Sequence, residues 1–135
     1  MRDKKLDQLI QQLETYLECW KQFNRYINLT RARKFAPEDE QQFLEVKSVI
    51  VQELELILST IEAGTPTREE IHALVSSAPS LRYVSEVNDN GLRVIENHWH
   101  KIYIGWHSVV GQLKVRQREA ESQSVLSTLF ARKKK

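Results

Sequence analysis

Apolar residues recur along this chain at spacings of three and four, the period of an α-helix. The first seam is Leu6, Leu9, Ile10, Leu13, Leu17, Trp20, Phe23 and Ile27. It predicts a helix from about Asp3 to about Ala32, closed by Arg31, Arg33 and Lys34 at the end where the helix dipole favours cations. A second seam, Phe43, Val46, Ile50, Leu54, Ile57, Leu58 and Ile61, follows Pro37. Proline suits the first helical position because its missing N–H has no partner there. Glu38, Asp39 and Glu40 fill the same turn, and Gly64 is placed to end the helix in a left-handed conformation.

A third, short helix is predicted by Thr67 and Glu70, which have the spacing of a capping box, with Ile71, Leu74, Val75 and Ala78 behind them. Pro66 with Thr65 as cap offers a competing start. Pro79 and Ser80 then interrupt the run. From Leu81 a fourth seam passes through Val84, Asn88, Gly91, Ile95, Trp99, Ile102, Trp106, Val109 and Leu113. Asn88-Asp89-Asn90-Gly91 has the chemistry of a turn. Because the apolar phase continues across it, the expectation is one long helix to about Gln123, bent there. Asn88 and Gly91 then stand in the seam, as a bend or as a polar residue that sets register. The polar stretch from Glu119 to Ser124 is expected to fray.

Two stretches read as interaction surfaces. Ile102, Tyr103, Ile104 and Trp106 make one helical segment apolar on nearly every side, since Ile104 points away from the seam that holds Ile102 and Trp106. Either the chain covers that second face itself, or a second copy or a protein partner does. The other stretch is Gln123 to Phe130. In a helical or 3₁₀ turn Leu126, Leu129 and Phe130 converge on one face, a short apolar plug on a polar tether.

Charge sharpens this picture. The chain has 135 residues and formal charge +2. Arg132, Lys133, Lys134 and Lys135 supply four cations, so the remainder carries two more acids than bases and is not a basic nucleic-acid surface. Direct nucleic-acid contact is expected only through the basic end. No apolar run approaches the ~18 residues of a membrane span, and the charged N-terminal stretch lacks a signal-peptide core. A lone cysteine, Cys19, permits no internal disulfide. A cytoplasmic protein is the expectation.

Candidate chemistry is sparse. Glu69 and His72 have the Glu-x-x-His spacing of di-iron bundles, but the second pair such a site needs is missing. His98, His100 and His107 crowd one region with Trp99, Tyr103 and Trp106. His100 and His107 lie two turns apart, roughly 10 Å, too far to share one ion unaided. Cys19 sits beside the first seam as a small hydrophobe. Gly64, Gly91, Gly105 and Gly111 are scattered and form no phosphate loop. No catalysis, cofactor or metal is expected.

The stretch Gln123 to Phe130 resembles the sliding-clamp-interacting peptide of archaeal and eukaryotic replication and repair proteins. That motif is a glutamine, two residues, an aliphatic, two residues and two aromatics, often near a terminus and flanked by basic residues. Gln123, Leu126 and Phe130 match, whereas Leu129 stands where an aromatic is usual. The resemblance implies that Gln123 enters a small polar pocket of a clamp and that Leu126, Leu129 and Phe130 plug a hydrophobic one. It covers eight of the 135 residues.

The expected fold is all-α, an antiparallel bundle of three long helices and one short one. Residues 1–121 form the bundle and 122–135 a flexible tail with an apolar plug and a basic end. The expected function is a non-catalytic protein-interaction or assembly module that meets a protein partner or its own copy. The alternatives are a DNA replication or repair accessory tethered to a sliding clamp, and a bundle binding metal through His98, His100 or His107.

Overall fold

The computed structural model describes residues 4–61 and 66–133. They form five helices: α1 (Lys4–Arg31), α2 (Pro37–Thr60), α3 (Arg68–Ser77), α4 (Leu81–Glu86) and α5 (Asp89–Lys133). The fold is all-α, as the periodicity predicts, with no strand among the described residues.

Helix α1 lies between α2 and α5 and runs antiparallel to both. Against α2, Gln12 meets Glu53 at 3.4 Å, the Tyr16 hydroxyl donates to the Ile50 carbonyl at 2.9 Å, and Tyr26 donates to Gln42 at 2.6 Å. Against α5, Gln117 donates to Asp7 at 2.6 Å, Lys114 pairs with Glu14 at 3.0 Å, and Arg31 pairs with Glu96. The Trp99 indole N–H donates to the Trp20 carbonyl at 2.8 Å. Helix α3 is fixed to α2 by a two-toothed pairing of Arg68 with Glu55, at 2.9 and 2.8 Å.

The core is aromatic at its centre. Tyr16, Trp20, Phe23, Phe43 and Trp106 are almost wholly buried. Tyr16 stands edge-on to Trp20 and to Trp106, with centroids 6.1 and 5.5 Å apart. Truncating a buried ring of this size costs about 3–5 kcal/mol. Tyr16 and Thr30 are buried although neither stood in the predicted seam. Both satisfy their hydroxyls inside the protein: Tyr16 on Ile50, Thr30 on the Ile27 carbonyl at 2.6 Å. Burial also pushes the Tyr16 phenol well above its ordinary pKa.

The helix ends follow local chemistry. At the end of α1, Arg33 takes a left-handed φ of 52°. Its N–H bonds the Thr30 carbonyl and the Lys34 N–H bonds that of Leu29, each at 3.1 Å, the pattern of a Schellman cap. Pro37 opens α2, and the Asp39 carboxylate accepts from the Ala36 N–H at 2.8 Å. Thr67 caps α3 by accepting from the Glu70 N–H at 3.1 Å, so the Thr67 start is the one adopted. Gly64 and Thr65, the residues of the competing start and of the predicted α2 stop, lie outside the described residues.

The single helix expected from Leu81 onward is corrected. Two helices meet at Val87 and Asn88, and turn chemistry wins over apolar phase. Val87 is extended, with ψ 143°. Asn88 is exposed, and its side chain accepts from the Gly91 N–H at 2.7 Å, so it caps α5 from outside the seam. A Cβ on Gly91 would come within 2.4 Å of the Val87 side chain, which is why the tight junction has glycine there. Leu92, rather than Gly91, is the buried residue of that turn. Helix α4 is itself held from a distance: Ser80 caps it, and the Glu40 carboxylate of α2 accepts from the Leu81 N–H at 2.7 Å. The stretch expected to fray, and the part of the predicted tail up to Lys133, continue α5 as regular helix.

Candidate interaction surface

Helix α5 carries two apolar stripes. The inner one holds Leu92, Ile95, Ile102, Trp106, Val109, Val110 and Leu113, all buried. It ends at Leu113. The outer one begins at Ile104, nine residues before Leu113, hence about half a turn away at 100° per residue. Ile104, Val115 and Leu126 follow at eleven-residue intervals, close to three whole turns, and Leu129 falls in the same stripe. These four side chains are 49–53% exposed, and Val125 and Phe130 on its flanks are 59% and 64% exposed. A shallow depression between Val115, Ser122 and Leu126 is edged by Arg118, Glu119 and Gln123.

The residues singled out from the sequence divide between these faces. Ile102 and Trp106 are fully buried in the chain's own core. Tyr103 is half-buried on the α1 side, stacked on Trp99 with centroids 4.8 Å apart and edge-on to His107 at 4.6 Å. The flank at Gly105 is covered by Pro66, whose Cγ would lie 3.0 Å from a Cβ on that glycine. The chain therefore covers all of the segment except Ile104. Gln123, Leu126, Leu129 and Phe130 are exposed and share the helix with Ile104. Val115 was missed as the link between the two stretches; the signal was the eleven-residue recurrence, which an isolated valine among polar residues conceals.

The described part of α1 does not reach the distal half of this stripe. Two antiparallel helices of equal rise that pair Asp7 with Gln117 bring Lys4, the first described residue, to about residue 120 of α5. The remainder, Glu121 to Lys133, extends about 20 Å further. On it Val125, Leu126, Leu129 and Phe130 are exposed.

The remaining candidate groups do not converge. His98 is half-buried and His100 and His107 are exposed; His72 lies on α3, half-buried, beside exposed Glu69. Among the described residues, no three or more His, Cys, Asp or Glu side chains come close enough together to hold a metal ion. Cys19 lines an open groove between α1 and α2 with Gln12, Val49 and Glu53. Burial, and then the Glu53 and Glu18 carboxylates, push its thiol up, away from the thiolate form that reacts. On the opposite flank of α1, the hydrogen bond that Lys21 donates to the Glu18 carboxylate holds its ammonium above its ordinary pKa. No helix among the described residues is long and apolar enough to cross a membrane. No protein-family model matches the chain, and no curated protein or solved structure shows significant similarity to it.

Proposed function

We propose that this protein is a non-catalytic helical interaction or assembly module, and that the outer stripe of α5 is the surface through which it works. One observation carries the reading: the apolar face of α5 changes sides, from buried Leu113 to exposed Val115, Leu126 and Leu129. A helix that turns its apolar stripe away from its own core leaves surface that association would bury. Burial moves the Tyr16 phenol and the Cys19 thiol away from the ionised forms that a nucleophile needs.

The test is capture of partners from native lysate on wild-type protein beside Leu126→Glu and Val115→Glu. The expected result is a partner bound by wild type and lost by both variants. Equal recovery on all three would sink the reading, provided circular dichroism shows the variants folded.

A second reading rests on the same end of the helix. Gln123, Leu126, Leu129 and Phe130 are all exposed, as a clamp-binding peptide has to be. Under it the protein is a DNA replication or repair accessory recruited to a sliding clamp. Binding of a purified clamp to the full chain, lost on Phe130→Ala and Gln123→Ala, supports it; no binding at high micromolar clamp removes it.

A further inference from the structure

We propose that α5 pairs with the α5 of a second copy of this chain, antiparallel, about a two-fold axis at Ser122. The inference rests on the interaction reading above and names its partner.

The outer stripe is symmetric about that serine. Gly111, Val115, Arg118, Ser122, Leu126, Leu129 and position 133 lie at matching distances on either side of it. An antiparallel pair therefore sets each Val115 against the partner's Leu129, and each Arg118 against the partner's Leu126, where the arginine stem covers apolar surface. Ser122 at the axis is small, so the helices approach closely. Gly111 closes the seam at the far end, and nothing lies within 4 Å of where its Cβ would be. Such a contact is self-complementary and closes as a dimer.

Charge fixes the direction. The sequence places four cations at 132–135, while the rest of the chain carries two more acids than bases. A parallel pair would set those cations beside their own copies. The antiparallel pair sets positions 132 and 133, where α5 ends, level with residues 112 and 111 of the partner. The antiparallel pair therefore keeps the two basic ends apart.

The area is sufficient. Val115, Val125, Leu126, Leu129 and Phe130 each leave about half or more of their surface exposed, together on the order of 400–500 Å² of apolar side chain. With polar flanks, about 33 Å of paired helix approaches the ~800 Å² per partner of a standard interface.

Sedimentation equilibrium of the full chain tests this, from about 1 µM to about 100 µM, the range of ordinary dimer constants. The expected mass at the upper end is twice 15.9 kDa, with Leu129→Glu and Leu126→Glu returning it to the single-chain mass while circular dichroism is unchanged. In a Cys19→Ser background, Ser122→Cys should form a disulfide-linked dimer under mild oxidation. Val115→Cys should not link to itself but should link to Leu129→Cys when the two are mixed. A single-chain mass throughout overturns the proposal, and so does self-linking of Val115→Cys as ready as that of Ser122→Cys, the mark of a parallel pair. A one-to-one complex of the single chain with a sliding clamp also overturns it. If the chain stays single while Leu126→Glu loses a captured partner, the self-pairing fails and the interaction reading stands. If nothing is lost, both fail.

Discussion

Helix α5 contains two regions that differ in what their apolar residues face. From Leu92 to Leu113 the stripe is buried against the rest of the chain, and its most crowded point is Trp106 beside Tyr16. From Val115 to Phe130 the stripe lies half a turn round and is exposed. Backbone and helical propensity are alike in both. What differs is the neighbour: α1 and α3 accompany the first region, and the described part of α1 reaches only to about residue 120 of the second. Burial of the first stripe stabilises the monomer. The second contributes little to the fold of one chain, so its apolar character points to what happens outside that chain.

This contrast is open to direct attack. The largest effect belongs to the inner stripe: Trp106→Ala should lower the unfolding free energy by about 3–5 kcal/mol, read from urea denaturation. A loss below about 1 kcal/mol would mean that the aromatic centre is not the core described. Next come two glycines about a third of a turn apart round α5. Gly105→Val drives a side chain into Pro66 and should cost about 1–3 kcal/mol. Gly111→Ala meets open space and should raise the thermal midpoint, since alanine is favoured over glycine in a helix by roughly 1 kcal/mol. Equal effects would erase the distinction between the faces. Asn88→Ala removes the cap at which α5 begins and should cost about 1 kcal/mol; a neutral result would restore the continuous helix through Val87. The smallest change in monomer stability is expected for Leu126→Ser, within about 0.5 kcal/mol, measured under dilute conditions. A drop of several kcal/mol there would make the outer stripe part of the core.

Much of the fold was legible in the seams, because a helix that buries one face must repeat apolar residues near every 3.6 positions. The α1 and α2 seams were read nearly residue for residue, as were the Thr67 cap and the proline start of α2. Tyr16 and Thr30 were not, because a hydroxyl reads as polar until a carbonyl such as that of Ile50 or Ile27 is known to lie beside it. The break at Val87 was misjudged for a related reason. Asn88 fits both a turn and the apolar phase, and its bond to the Gly91 N–H decides between them. In the candidate surface, the sequence singled out Ile104 and the stretch from Gln123 to Phe130. It also credited Ile102 and Trp106 to an interface, although these are the chain's own core.

By itself, the sequence determined the helical class, the caps that begin α2 and α3, and the presence of more apolar faces than one helix seam requires. These are local consequences of periodicity and of side chains bonding to nearby backbone. Only the tertiary structure decided which apolar faces are covered. Burial depends on what packs beside a helix, and that is set by residues far away in the chain. Pro66 closes the flank at Gly105, Glu40 holds α4, and α1 stops short of the last turns of α5. Val115, half a turn from buried Leu113, faces away from α1, and Leu126 and Leu129 lie beyond the described part of it.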